Sequence, residues 1–129
     1  MAFDQIIGAA TVFMETSGEG SEGITAVAYV VVNRWRSGKF GATLAAVCLN
    51  PLQFSAWNTY DPNRLRLAKT PDDDPILQQC GKAIGDAMGG TVPDPTDGAL
   101  YYFADSIPPP LWTKALTRTV KIGHQTFYR

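Results

Sequence analysis

The chain has little of three features that many enzymes depend on: histidine, cysteine and an excess of one charge. It has 129 residues, with a single histidine, His124, and two cysteines. A zinc site built from several histidines is therefore excluded, and one imidazole remains for any catalytic triad. Two cysteines allow one disulfide at most, whereas secreted domains of this size usually carry several. We predict neither a metal site nor a cofactor.

Charge and hydropathy exclude further classes of protein. Eleven Lys and Arg residues stand against twelve Asp and Glu residues, so no basic surface for nucleic acid is expected. The longest apolar run, Ala26–Val32, is far shorter than the ~20 residues of a membrane-spanning helix, so no membrane insertion is expected. Six Phe, three Trp and five Tyr residues supply apolar surface for a core. We expect one monomeric domain over residues 1–129.

The first third of the sequence has helical periodicity. Apolar residues at the spacing i, i+3, i+4 and i+7 predict a helix over Phe3–Thr16. The segment Glu22–Arg36 is apolar on nearly all sides, which predicts a second, buried helix. We expect Ser21 to be its N-cap and Gly38 to end it in the left-handed conformation.

The middle of the chain combines two helices with a polar segment. A short helix is predicted over Ala42–Leu49, and a longer one over Pro75–Met88, where Asp74 followed by proline is typical of a helix start. Between them, residues 51–75 are polar and rich in Pro, Asn and Asp, so we predict a long, irregular loop. Loops of that length are usually functional.

The last third of the sequence is rich in aromatic and β-branched residues. Ala99–Phe103 is predicted to be a strand, and Thr119–Ile122 and Gln125–Tyr128 flank Gly123-His124 as a β-hairpin. A small antiparallel sheet of about three strands should therefore lie beside the helices. The predicted fold class is α+β, mainly helical.

Glu15 is the carboxylate best placed for chemistry. It lies at the C-terminal end of an apolar helix, directly before a glycine-rich break. The negative end of the helix dipole and partial burial both disfavour its charged form, and both should raise its pKa. A raised pKa is what a general acid near neutral pH requires, although a surface Glu at a frayed helix end remains the alternative.

Other polar and aromatic residues are candidates for binding a substrate. Glu19 could supply a second carboxylate, and Asn33 and Arg34 could pin residues 17–20, line a cleft or, for Arg34, cap the helix. The remaining candidates combine aromatic faces with an amide, a hydroxyl and an imidazole, a mixture that suits a saccharide groove but is also common in small cores under loops. They are Gln53, Phe54, Ser55, Trp57, Tyr101, Tyr102 and His124.

Two of these assignments carry a specific structural expectation. Tyr101 and Tyr102 are adjacent in a predicted strand, so they should point to opposite faces and only one can line a given site. His124 is predicted at a hairpin turn, where a solvated role is common. A catalytic pair of His124 with Cys48 or Cys80 is disfavoured, because neither cysteine has an activating neighbourhood and buried free thiols are expected.

Several segments form one ordered pattern across nearly the whole chain. They are Glu15-Thr-Ser-Gly-Glu19, Glu22-Gly23, Ala26-Val27-Ala28 through Val32-Asn33-Arg34, Pro51-Leu-Gln53-Phe54-Ser55-Ala-Trp57, Asp97-Gly98-Ala99-Leu100-Tyr101-Tyr102, Ile122-Gly123-His124 and Phe127-Tyr128-Arg129. Together they resemble the cell-wall hydrolase family typified by spore-cortex-lytic enzymes. The chain departs from the family after Tyr102, where Phe103-Ala104 replaces a polar His-Asn pair of many relatives.

The resemblance implies a lysozyme-like fold and cleavage of peptidoglycan between N-acetylmuramic acid and N-acetylglucosamine. It also implies that Glu15, the first Glu of the family motif E-x-x-G-E, is the catalytic acid. Since no partner carboxylate stands out, we favour a lytic transglycosylase, in which the 6-hydroxyl of the muramic acid attacks and leaves a 1,6-anhydro end. The alternatives are a hydrolytic muramidase, whose water is positioned by Glu19 or a loop Asp, and a non-catalytic wall-glycan-binding protein.

The N-terminal residues bear on the biological setting. They lack the basic region of a Sec signal peptide. We therefore expect a phage or prophage endolysin that stays in the cytoplasm until a holin opens the membrane. Its expected partners are the glycan strands of bacterial peptidoglycan.

Overall fold

A computed structural model of the chain describes residues 2–50, 54–58 and 61–129, apart from the side chain of Ser55. These residues form five α-helices followed by a three-stranded sheet, with 3₁₀ turns at Ser55–Trp57 and Leu111–Ala115. The helices are α1 (Phe3–Glu15), α2 (Ser21–Ser37), α3 (Leu44–Leu49), α4 (Pro62–Ala68) and α5 (Pro75–Gly89), and the strands are β1 (Tyr101–Ala104), β2 (Arg118–Ile122) and β3 (Gln125–Tyr128). The predicted α+β, mainly helical class is confirmed.

Helix α2 is the central element of the core. Its run Ala26–Val32 is buried throughout, as the apolar sequence predicted. Helices α1, α3 and α5 pack around it, and α1 also packs against α3 and α5. At Gly8 a Cβ atom would lie 3.0 Å from Leu44 and 3.1 Å from Ile84, so the glycine allows α1 to approach both neighbours closely. This packing fixes the position of the C-terminal end of α1.

The sheet has the strand order β1-β3-β2, with both pairs antiparallel. Tyr102 is paired with Phe127, and Ala104 with Gln125. Because side chains alternate along a strand, these four residues share one face, which we call the inner face. Phe127 is fully buried in the helical core, so the inner face is the one that faces the helices.

The opposite, outer face of the sheet carries a cluster of aromatic side chains. Tyr101, Phe103 and Tyr128 lie on it, and Trp112 from the second 3₁₀ turn covers them. The Trp112 ring centroid lies 5.6 Å from that of Tyr101 and 5.4 Å from that of Tyr128. The prediction that Tyr101 and Tyr102 point to opposite faces is confirmed.

Most predicted boundaries agree with the structure within two residues, and one cap assignment is wrong. Gly20, not Ser21, precedes α2, and it makes no side-chain capping bond. The hydroxyl of Ser21 instead accepts a hydrogen bond from Gln79 across to α5, at 2.9 Å. Gly38 does end the helix in the left-handed conformation, with φ of 72°.

The prediction of an irregular loop over residues 51–75 is wrong in its second half, where α4 forms. Asp61 accepts a hydrogen bond from the backbone N–H of Asn63 at 2.9 Å, and Pro62 occupies the first turn. This is the same Asp-Pro start that predicted α5, whose cap Asp74 accepts bonds from Ile76 and Leu77. The prediction followed the polar composition of residues 51–75 and overlooked the helix start at Asp61-Pro62.

The predicted hairpin and the predicted thiols are confirmed. Gly123 has a φ of 57° in the turn between β2 and β3. Cys48 and Cys80 are free and buried, and burial raises the pKa of each thiol to about 11. Both are therefore protonated at neutral pH and unsuited to nucleophilic attack. No helix among the described residues has the length and hydropathy that a membrane span requires.

Candidate active site

Glu15 is the last residue of α1 and is half-buried. The helix ends there because Thr16 leaves the helical conformation while its hydroxyl donates to the carbonyl oxygen of Val12 at 2.7 Å. Gly18, with φ of 81°, then turns the chain away. The carboxyl group thus lies at the negative end of the helix dipole, as predicted.

Tyr102 is the direct partner of Glu15. From the inner face of β1 its hydroxyl donates a hydrogen bond to Oε1 of Glu15, across 87 residues of sequence. The ring packs on Phe127, with centroids 5.7 Å apart, so the tyrosine has little freedom to move. The bond joins the C-terminal end of α1 to the sheet and fixes one oxygen of the carboxyl group.

Arg34 brings a buried positive charge to the same region. It is only 6% exposed, and its Nε donates to the carbonyl oxygen of Leu100 at 2.6 Å. Three aromatic rings surround its guanidinium group, whose Cζ lies 4.8 to 5.7 Å from the ring centroids of Phe54, Phe40 and Tyr101. Arg34 therefore anchors the segment before β1 from within the site, a role that the sequence analysis did not include.

The electrostatics of the site favour the protonated form of Glu15. Burial raises the pKa of Glu15, while the bond from Tyr102 and the charge of Arg34 lower it, and the charge of Asp61 raises it. The net shift is upward, as the sequence predicted. Burial also raises the pKa of Tyr102 well above its ordinary value, so that its hydroxyl stays a donor. The geometry therefore holds one oxygen of the carboxyl group, and the raised pKa favours the protonated form that a general acid requires.

Glu19 follows Glu15 by four residues, but its carboxylate already accepts a hydrogen bond within the fold. Its Oε1 accepts a hydrogen bond from the backbone N–H of His124 at 3.1 Å. At Gly123 a Cβ atom would lie 2.2 Å from Oε2 of Glu19, so the turn and the carboxylate touch. Glu19 thus fastens the β2–β3 turn to the connection between α1 and α2.

Three other predicted site residues have structural contacts that the sequence did not reveal. The amide of Asn33 donates to Asp94 at 2.9 Å and to the carbonyl oxygen of Ala99 at 3.1 Å, so it holds the turn before β1 and not residues 17–20. Phe54 is 1% exposed and belongs to the core beneath Arg34. The imidazole of His124 is exposed and lies 3.3 Å from Asp105, consistent with a solvated turn residue.

Trp57 contacts α1 one helical turn before Glu15. Its Nε1 donates to the hydroxyl of Thr11 at 2.9 Å, and its half-buried ring lines a mainly apolar cavity of about 510 Å³. That cavity lies between α1, α4 and α5. Gln53 lies outside the described residues, as does the side chain of Ser55, so these two predictions stay predictions.

Asp61 is the residue of this site that sequence reasoning identified least well. The sequence pointed only to an unspecified loop Asp, whereas the structure shows that the negative charge of Asp61 acts on Glu15. The Asp-Pro dipeptide at this position was the available signal, because it predicts a helix start and hence a fixed carboxylate. Among the described residues, no group of three or more His, Cys, Asp or Glu could hold a metal ion.

Comparison with known proteins identifies the family to which the chain is similar. The model of a family described as Cell Wall Hydrolase matches residues 18–128. Spore cortex-lytic enzymes of Bacillus cereus and Bacillus subtilis are 34% and 30% identical to the chain, over 90% and 92% of its length. The chain spans 40% and 35% of those two relatives, so it corresponds to one part of each.

Two solved structures are similar along the whole chain. The catalytic domain of the Bacillus cereus SleB protein has a TM-score of 0.76 and 32% identity, covering 98% of this chain and 89% of that one. The catalytic domain of the germination-specific lytic transglycosylase SleB from Bacillus anthracis has a TM-score of 0.75 and 31% identity, covering 100% of this chain and 97% of that one. The lysozyme-like fold implied by the sequence is therefore confirmed.

Proposed function

Because the chain belongs to the cell wall hydrolase family, we propose that it cleaves peptidoglycan between N-acetylmuramic acid and N-acetylglucosamine as a lytic transglycosylase. The observation that carries the proposal is the half-buried Glu15, whose carboxyl group is bonded to Tyr102 and whose pKa is raised. The similar structure from Bacillus anthracis is named as a lytic transglycosylase, which supports the same reaction here.

Glu15 performs both proton transfers in the proposed reaction. Tyr102 holds Oε1, so Oε2 carries the proton and donates it to the glycosidic oxygen as the bond to the muramic acid C1 breaks. The carboxylate then accepts the proton of the muramic acid 6-hydroxyl, whose oxygen bonds to C1. The products are an N-acetylglucosamine end with a free hydroxyl group and a 1,6-anhydromuramic acid end, and Glu15 is protonated again.

The buried charge of Arg34 supports the intermediate stage of this cycle. Once Glu15 has given its proton, a carboxylate remains in a half-buried site, where an unpaired charge is unfavourable. Arg34 stabilises that charged form, since its charge lowers the pKa of Glu15. Burial and Arg34 therefore act in opposite directions, which keeps both protonation states of Glu15 accessible.

The contacts of the other carboxylates favour transglycosylation over hydrolysis. A muramidase needs a second group to position water. Glu19 is bonded to the backbone of the β2–β3 turn, and Asp61 caps α4, so each already has a structural role. Hydrolysis with a water held by Asp61 is the second candidate, because the charge of Asp61 reaches Glu15.

Product analysis separates these reactions. Purified sacculi are digested and the soluble fragments are examined by mass spectrometry. We expect fragments with anhydromuramic ends, which are 18 Da lighter than reducing ends because no water is added. Reducing ends without anhydro sugars would establish the muramidase instead.

The assignment of the acid is tested with Glu15→Gln, which keeps the shape of the side chain and removes its proton. We expect a loss of activity of about 10²- to 10⁴-fold with an unchanged thermal unfolding temperature. Glu22→Gln, in an exposed position of α2, is the matched control. Full lysis by the Glu15→Gln variant would show that the acid is elsewhere. A wild-type chain that binds sacculi but never cleaves them would instead be a glycan-binding protein.

The biological setting is a separate proposal. The relatives are named spore cortex-lytic enzymes, which makes the spore cortex one candidate substrate. The setting that we propose instead is an endolysin that stays in the cytoplasm until it is released to the wall. Cells that produce the chain should then lyse only after the membrane is permeabilised, and vegetative sacculi should be cleaved at least as fast as purified cortex. Preferential cleavage of cortex would contradict this setting.

A further inference from the structure

Gln125 has a side chain that the fold leaves unsatisfied. It is the first residue of β3, lies on the inner face of the sheet and is 8% exposed. Its Oε1 is buried and accepts no hydrogen bond from any residue that the structure describes. Burying an unpaired acceptor is unfavourable, and native proteins contain few such atoms. The stability of the fold therefore does not explain an amide at this position.

The position of Gln125 relates it to Glu15. Gln125 pairs with Ala104, which puts it diagonally across from Tyr102, the residue that bonds to Glu15. Diagonal neighbours on one face of a sheet lie about 7–8 Å apart. On the other side, the neighbouring residue His124 is bonded through its N–H to Glu19. Gln125 thus lies between the strand residue that bonds to Glu15, at the end of α1, and the turn residue that bonds to Glu19, before α2.

The exposure of the inner face changes near Gln125. Phe127, two residues along β3, is fully buried in the core, whereas Ala104, beside Gln125, is half-exposed. Exposure on the inner face therefore increases from Phe127 towards Ala104, the partner of Gln125 on β1. Ala104 presents only a methyl group beside the amide, on the side of Tyr102.

We propose that Gln125 determines specificity by binding the acetamido group of a sugar next to the bond that Glu15 cleaves, an inference that rests on the proposed function. An acetamido group has one N–H donor and one carbonyl acceptor, and a glutamine amide offers the complementary pair. The last torsion of a glutamine side chain rotates over a broad range, so Oε1 can turn to the N–H of the sugar while Nε2 donates to its carbonyl. The acceptor that the fold leaves unpaired is then satisfied by substrate.

The test pairs a change in the protein with a change in the substrate. Sacculi are used in three forms: native, enzymatically N-deacetylated, and deacetylated then chemically re-acetylated. The protein is wild type, Gln125→Leu, or the control Thr126→Val, which changes the next residue of β3 on the outer face. The rate at low substrate concentration and the thermal unfolding temperature are measured for each combination.

We expect deacetylation to slow the wild type by about tenfold or more, as the loss of paired hydrogen bonds to a substrate requires. Re-acetylation should restore that rate. Gln125→Leu should be slowed by a similar factor on native sacculi and lose little more on the deacetylated form, while Thr126→Val discriminates like the wild type. The unfolding temperature of Gln125→Leu should not fall, because the leucine removes an unpaired acceptor.

Three results would overturn the inference. They are a wild type that cleaves both forms equally, a Gln125→Leu variant that discriminates as well as the wild type, and a Gln125→Leu variant that is strongly destabilised, which would show a structural role. None of them bears on the acid, since Glu15→Gln is read separately through total activity. Failure of this inference can therefore be distinguished from failure of the proposed function.

Discussion

Gly123→Ala should destabilise the protein more than an ordinary glycine substitution in a turn. Gly123 has a φ of 57°, and an L-residue in that conformation costs about 1–2 kcal/mol. The new Cβ would also lie 2.2 Å from Oε2 of Glu19. The carboxylate can move away, since it ends a flexible side chain, but it then loses the bond from His124 N–H. That bond is exposed and contributes about 1 kcal/mol.

The expected loss is therefore roughly 2–3 kcal/mol in the free energy of unfolding. A chain of this size changes its unfolding temperature by roughly 3–5 °C per kcal/mol, so calorimetry should show a fall of about 6–15 °C. Gly98→Ala is the matched control, because Gly98 has a φ of 80° and a Cβ there would meet no atom within 4 Å. It should show the backbone cost alone.

A double-mutant cycle isolates the contact with Glu19. In a Glu19→Ala background the carboxylate is absent, so Gly123→Ala should cost no more than Gly98→Ala does. The reasoning would be refuted if Gly123→Ala and Gly98→Ala were equally destabilising in the presence of Glu19. It would also be refuted if the extra cost persisted in the Glu19→Ala background.

Two further substitutions should move the pH dependence of cleavage in opposite directions. Tyr102→Phe removes a bond that lowers the pKa of Glu15, so the pKa rises and the alkaline limb of kcat/KM, where the acid loses its proton, moves to higher pH. Asp61→Asn removes a charge that raises the pKa of Glu15, so that limb moves to lower pH, while asparagine can still cap α4. Rate profiles on solubilised glycan strands measure both shifts, and two limbs that move the same way would contradict these electrostatics.

Four of the five described helices were accessible from sequence because their signals are local. The period of apolar residues gave α1 and α2, and the Asp74-Pro75 pair gave the start of α5 within one turn. The direction of the Glu15 pKa shift was predicted from its place at the end of an apolar helix, and burial is its main cause in the structure. The partner of Glu15 could not be predicted from the local sequence, because Tyr102 lies 87 residues away.

Residues that can serve either the fold or the site were the hardest to assign. Asn33 and Phe54 have the composition of binding residues, but one holds the turn before β1 and the other lies in the core. Gln125 shows the reverse case, since a glutamine in a predicted strand gave no reason to single it out. Only the pairing register and the buried, unpaired oxygen distinguish it from other polar strand residues.

The strand order has a consequence for when activity can arise during folding. Among the residues that the structure describes, strand β1, which carries Tyr102, pairs with β3 alone, and β3 lies between the other two strands. A chain that has folded its helices but not yet docked β3 has Glu15 in place and no scaffold for its partner. Docking of β3 is thus the step that brings the Tyr102 hydroxyl to Oε1 of Glu15 and completes the pair.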